Sequence, residues 1–234
     1  MRWPRLPRRR QHGGAPSGPP DPSRDRARMV AEQLEARGID DPDILDAFRA
    51  VPRHAFVDGN EPYGDHAMPV GSGQTISQPY IVARMTQLGR PIDGWRGAAT
   101  LEVGTGSGYQ AAILAELGAE VTSIERHESL ASDAQRRLEA AGYPSVNVVV
   151  GDGTAGWPAG SPYRSILVTA GGPSVPQPLL EQLHPEGGRL VMPVGGRQHQ
   201  LLTLVERTGD DLRSSELEPV VFVPLIGHYG LRAD

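Results

Sequence analysis

Cysteine is absent from this 234-residue chain. That excludes disulfides, thiolate metal sites and cysteine nucleophiles together. Lysine is absent as well, so all 23 basic residues are arginine. Schiff-base chemistry, pyridoxal phosphate anchoring and a Walker-type phosphate lysine are excluded with it. No run approaches the ~18 uninterrupted apolar residues of a membrane helix. Aromatics are scarce, at 5%, and Trp3, Trp95 and Trp157 do not interleave with arginine as a nucleic-acid platform requires. The seven histidines are scattered without ligand spacing, so no metal site is expected.

What is present is unevenly charged. The net charge is −5, yet residues 1–26 hold seven Arg and two Asp. A basic arm precedes an acidic body. The arm is rich in Pro and Gly without apolar periodicity, and is expected to be disordered. Its Arg8-Arg9-Arg10 run has no apolar segment after it, which argues against an export signal and for a cytoplasmic protein. Residues 27–95 read as a helical cap and 96–234 as the core domain. In the cap, Met29, Val30 and Leu34 give one helix ending at Gly38, Asp41-Pro42 opens a second that Pro52 ends, and 57–73 reads as loop. A third helix carries Ile81, Val82, Met85 and Leu88, with Ser77 and Pro79 at its start.

From residue 98 apolar strands alternate with amphipathic helices. The pattern predicts an α/β fold with a mainly parallel, doubly wound sheet. Two final strands, 200–206 and 216–225, with a turn at Gly209-Asp210, predict an antiparallel edge. The first core strand ends in Gly104-Thr105-Gly106-Ser107-Gly108. Glycines there permit positive φ and close backbone approach to a ligand. Glu125 ends the second strand, where a carboxylate can accept both ribose hydroxyls. Asp152, within Gly151-Asp152-Gly153, follows the third and can reach an adenine amino group. All three lie at strand carboxyl ends, the ligand edge of open α/β sheets. Tyr109 occupies the sixth position of a nicotinamide-type G-x-G-x-x-G, and only one nucleotide-binding half is present. The set suits S-adenosylmethionine better, within a Rossmann-like methyltransferase fold. Upstream, Gly71 to Tyr80 places a hydroxyl-rich turn at a helix start, suited to holding a carboxylate or to simple capping by Ser77.

Several stretches resemble the protein-L-isoaspartate O-methyltransferase family, over roughly Met29 to Gly230. They are RAVPRHAFV at 49–57, GSGQTISQPYIVARMTQL at 71–88, LEVGTGSGYQAAILAEL at 101–117, VVVGDGTAGWP at 148–158, PEGGRLVMPVG at 185–195 and VVFVPLIG at 220–227. GQTISQPYIVA and FVPLIG are the most specific. The resemblance implies methylation of the α-carboxylate freed at isoaspartyl residues of damaged proteins, with the side-chain carboxylate of D-aspartyl residues as a further acceptor. S-adenosylhomocysteine is the implied product, and repair proceeds through a succinimide. It implies Ser77 as the active-site hydroxyl. Gln74, Thr75 and Ile76 lie by the methionine end of the cofactor, Gly104, Thr105 and Gly106 along its backbone, Glu125 and Arg126 at the ribose, and Asp152 with Gly153 at the adenine. It implies Val223, Pro224, Leu225 and Ile226 as part of the peptide wall. Partners would be isoaspartyl proteins and peptides, with no nucleic acid or membrane, and the enzyme a monomer. The alternative is a methyltransferase that tailors a normal Asp in one dedicated precursor peptide. The chain departs from the family pattern at Arg164-Ser165, at Gly171-Gly172, and at Val221, where an arginine is usual.

Overall fold

The computed structural model describes residues 21–232; the expectations for residues 1–20, including the arginine run, lie outside it. Asp21 accepts the Ser23 and Arg24 N–H groups and Pro22 takes the first turn, so helix α1 spans Pro22–Met29. The arm's last residues are therefore helical. The helix continues as a π-turn, Val30–Leu34, and a 3-10 turn, Glu35–Arg37, and stops at Gly38 with φ 86°. Asp41 caps α2 (Pro42–Ala50) through the Asp43 and Ile44 N–H groups.

Residues 57–73 are not all loop. Met68–Gly71 (β1) and Gln74–Ile76 (β2) form a hairpin whose tip has Ser72 at φ 49° and Gly73 at φ 69°. Consecutive positive φ values match the right-handed twist of paired strands. Strands this short, interrupted by Pro69, carry no alternating apolar signal. Helix α3 (Pro79–Gly89) has Gln78 as its cap residue with no side-chain bond. Ser77 is not its cap, and its hydroxyl is left for other work.

The core follows as β3 (Ala99–Val103), α4 (Tyr109–Glu116), β4 (Glu120–Glu125), α5 (Glu128–Ala140), β5 (Asn147–Val150), β6 (Ser165–Val168), α6 (Gln177–Glu181), β7 (Glu186–Gly196), β8 (His199–Thr208) and β9 (Asp211–Val220). The seven-stranded sheet has the order β5-β4-β3-β6-β7-β8-β9. Pairing is parallel through β7 and antiparallel at β8 and β9, as the alternation predicts. The last strand sits earlier than expected. It ends at Val220, because Phe222 to Leu225 turns back across the carboxyl edge, where Gly171 bridges to Pro224.

Two apolar layers clasp the sheet. Along β6, Ile166 and Val168 join the layer containing Leu179 and Leu183, while Leu167 joins the opposite layer with Val82, Met85 and Ile113. This period-2 split is the strand's own geometry. All three β6 residues are fully buried, each stabilising by ~1.5–3 kcal/mol. Both faces thus fix β6 against β3, and strand order reverses at β3. A crevice opens there, at the carboxyl ends.

Candidate active site

Three connected spaces occupy that edge. An outer cleft of about 1090 Å³ runs between α3 and the β8–β9 end of the sheet. A recess of about 60 Å³ lies over the ends of β3 and β4. A smaller pocket of about 40 Å³ reaches beneath the hairpin. Thr75 and Thr169 line all three, and Ser77 lines the cleft and the small pocket.

The recess gathers the residues singled out from sequence: Gln74, Thr75, Gly104, Gly106, Glu125, Arg126 and Gly153. Gly104 and Gly106 have φ of 100° and 54°. A Cβ on Gly104 would collide with the Thr169 hydroxyl, so glycine keeps this wall thin. Glu125 is nearly buried, and both its oxygens are held. Oε2 accepts the Gly106 N–H at 3.0 Å and Oε1 the His127 N–H at 3.0 Å. The carboxylate is thereby aimed across the glycine loop, with lone pairs left for further donors.

Other predicted residues are placed differently. Ile76 is buried in the core and lines only the small pocket. Thr105 is buried and bonds to the Ser123 hydroxyl at 2.6 Å. Asp152 does not line the recess. Its Oδ1 accepts the Thr154 N–H and hydroxyl, and its Oδ2 accepts the His228 N–H at 2.7 Å. Burial pushes this carboxyl up, but the His228 and Thr154 donors outweigh it and leave it below the ordinary aspartate value. Pro224, Leu225 and Ile226 face the recess, whereas Val223 faces both recess and cleft. The cleft wall is Val220 to Val223, three residues earlier than the predicted segment.

Three side chains escaped the sequence reading. Thr169 directly follows β6 and donates to the Gly104 carbonyl at 2.7 Å; the strand-end rule that found Asp152 applies to it equally. Gln200, buried, holds Phe222 by accepting its N–H at 2.8 Å and donating to its carbonyl. Glu102 is fully buried beside the small pocket. The Ser123 hydroxyl donates to its Oε2, and Oε1 has no partner. Burial pushes its carboxyl up to about 8, against the Ser123 bond, with the nearby Glu125 charge adding to the rise. Burial thus favours its protonated form. Gln110 Oε1 is a second buried acceptor without a partner on this pocket.

These residues fit S-adenosylmethionine. Backbone at positive φ, a held carboxylate and unpartnered polar atoms line adjoining spaces where a nucleoside and an amino-acid tail can lie. Among the described residues no group of three or more His, Asp or Glu side chains could hold a metal ion, and no helix is long and apolar enough to cross a membrane.

Comparison with known proteins agrees with this geometry. The model of the family described as protein-L-isoaspartate(D-aspartate) O-methyltransferase matches residues 25–230. A protein-L-isoaspartate O-methyltransferase of Methanoregula boonei is 51% identical over 211 residues, covering 89% of this chain and 95% of that protein. Protein-L-isoaspartate O-methyltransferase 1 of Syntrophobacter fumaroxidans is 52% identical over 88% of this chain and 95% of its own. A solved protein-L-isoaspartate O-methyltransferase superposes with a TM-score of 0.77 at 29% identity, covering 88% of this chain and 67% of its own. One from Plasmodium falciparum, solved with S-adenosyl-L-homocysteine, gives 0.73 at 23% identity, covering 85% and 97%, and supports the fold alone. None of these favours the dedicated-precursor alternative. The chain belongs to the protein-L-isoaspartate(D-aspartate) O-methyltransferase family.

Proposed function

We propose that this enzyme transfers the methyl group of S-adenosylmethionine to the α-carboxylate freed at L-isoaspartyl residues of damaged proteins, releasing S-adenosylhomocysteine. The ester then closes to a succinimide without further help, and its hydrolysis returns part of the chain to normal aspartate. One observation carries the reading. The recess lined by Gly104, Gly106 and Glu125 meets an open cleft at Thr75 and Thr169, beside Ser77. Such an arrangement suits a buried donor meeting a protein-borne acceptor.

Bound there, S-adenosylmethionine supplies a methyl group already activated on a sulfonium sulfur. Glu125 and Arg126 would hold the ribose end, Gly104, Thr105 and Gly106 the middle, Gly153 the adenine end, behind which Asp152 holds the His228 N–H, and Gln74, Thr75 and Ile76 the methionine end. Val223 to Ile226 cover the recess, and Val223 presents the peptide side. The acceptor α-carboxylate has an ordinary pKa of ~3.5 and is ionised at pH 7, so no general base is needed. What remains is alignment and removal of water. Ser77 is the proposed catalytic hydroxyl. It donates a hydrogen bond to the carboxylate and orients it without neutralising it.

Partners on this reading are isoaspartyl proteins and peptides, met by a monomer in the cytoplasm. The test is methyl transfer from labelled S-adenosylmethionine to two short peptides that differ only in isoaspartyl or normal aspartyl linkage. Methylation of the isoaspartyl peptide alone is expected; labelling of the normal peptide, or of neither, refutes the proposal.

A further inference from the structure

Arg53 has 0% exposure and heads the fully buried side chains in size. Among the described residues it makes no ion pair. Its Nε donates to the Pro62 carbonyl at 2.8 Å and its Nη2 to the Ser77 carbonyl at 2.7 Å. The guanidinium lies 4.9 Å from the centre of the Tyr109 ring. Its Nη1 and the Tyr109 hydroxyl meet no full hydrogen-bond geometry and interact with each other's residue. A buried cation with no ion-pair partner is among the costliest arrangements in a core, and Asp65, whose charge acts on it from a distance, is itself paired with Arg37. Two carbonyls and an aromatic face do not require it, since a neutral amide could serve the same acceptors. The charge itself therefore needs a reason.

Ser77 supplies one. Its carbonyl is one hydrogen bond from the guanidinium, while the residue lines both the cleft and the small pocket. The acceptor proposed for this point is an anion. We infer that Arg53 is a positioning residue whose charge, set one layer below the Ser77 turn, is the counter-charge to the methyl-accepting carboxylate. This inference rests on the functional reading above. The arrangement has a chemical logic. A direct Arg–carboxylate fork would occupy the oxygen lone pairs that must attack. A cation beneath the turn draws the anion out of water and leaves those lone pairs free. As the methyl group passes, carboxylate and sulfonium charges cancel, so the transition state needs this cation less than the bound anion does. Arg53 accordingly acts on binding, and removing its charge raises KM without lowering kcat.

The test compares an isoaspartyl peptide with its α-carboxamide analogue, which keeps shape and loses charge. With charges ~7–10 Å apart and an effective dielectric near 20, Coulomb's law gives the wild type about a 15- to 50-fold preference for the anion. Arg53→Gln should raise KM for the isoaspartyl peptide by about that factor, with kcat within about threefold, and abolish the preference measured by inhibition. Arg53→Lys, which keeps the charge but loses donors, should retain most of the preference. The wild-type preference should also survive 0.5 M salt, because a buried charge is screened little. This last measurement stands even where Arg53→Gln fails to fold. A preference that survives Arg53→Gln, or collapses in salt, overturns the inference. If both variants lose kcat alike with KM unchanged, Arg53 is only a structural staple. Should the wild type methylate no isoaspartyl peptide, the functional reading itself falls, and this inference with it.

Discussion

Gly104→Ala gives a sharp test of how the site is built. The residue has φ 100°, and an added Cβ would enter the Thr169 hydroxyl. Holding an L-residue in that backbone region costs ~1–3 kcal/mol. The hydroxyl must also swing away from the Gly104 and Val103 carbonyls, which share its one proton at 2.7 and 3.1 Å, at ~0.5–1.5 kcal/mol for that shared bond. The expected loss is about 1.5–4.5 kcal/mol, out of a total near 5–15 kcal/mol. For a chain of this size the melting temperature should fall by about 3–18 °C. Because the methyl group also narrows the recess, S-adenosylmethionine affinity should drop at least ~10-fold by calorimetric titration. Removing the obstruction separates the two costs. In Gly104→Ala/Thr169→Ala the collision is gone and only the backbone strain remains. The double variant should therefore be more stable than the sum of the single losses predicts, by about 0.5–1.5 kcal/mol. Additivity within ~0.3 kcal/mol would refute the close approach as the reason for glycine here.

Three more expectations follow from the site. Ser77→Ala should lower methyl transfer ~10- to 1000-fold, the range for a single positioned donor, with cofactor affinity nearly unchanged; an equal loss in a titration would move Ser77 out of its role. Glu102 binds its proton more tightly in the folded state, with a value near 8 against 4.5 for the free group. Between those values the unfolded chain releases the proton first, so stability falls as pH rises. Glu102→Gln should flatten that decline in denaturant titrations; an unchanged slope would mean the carboxyl is ionised in the fold. Asp152→Ala removes the acceptor of the Thr154 N–H and hydroxyl and of the His228 N–H, and should destabilise by ~1.5–4.5 kcal/mol at ~0.5–1.5 for each bond while speeding proteolytic cleavage around 227–231. Unaltered cleavage there would show that the His228 bond does not hold this segment.

Sheet topology was readable because burial on both faces leaves unbroken apolar runs, as in SILV of β6, and because glycines punctuate each strand end. Glu125 and the glycine loop were readable for the same reason: their place follows from strand order alone. The hairpin at 68–76 was not, since its register comes from two positive-φ residues and not from alternation. Asp152 shows the limit most clearly. Residue type and position put a carboxylate at the third strand end. Whether it faces a ligand or closes on the His228 backbone depends on where residues 227–231 return, over 70 positions later. Arg53 escaped because a buried, unpaired arginine looks from sequence like any polar residue in a loop.

The outermost strand bears on how such an enzyme lives among its neighbours. β9 runs ten residues along an open rim of the sheet, a length that invites sheet continuation by other chains. It carries Asp211, Arg213, Glu216, Glu218 and Pro219, and its pairing with β8 slips between Leu201 and Thr203. Charges, a missing N–H donor and a local twist each spoil the ladder a foreign strand would need. A protein that must approach frayed and damaged polypeptides repeatedly can thus touch them without being recruited into their aggregates.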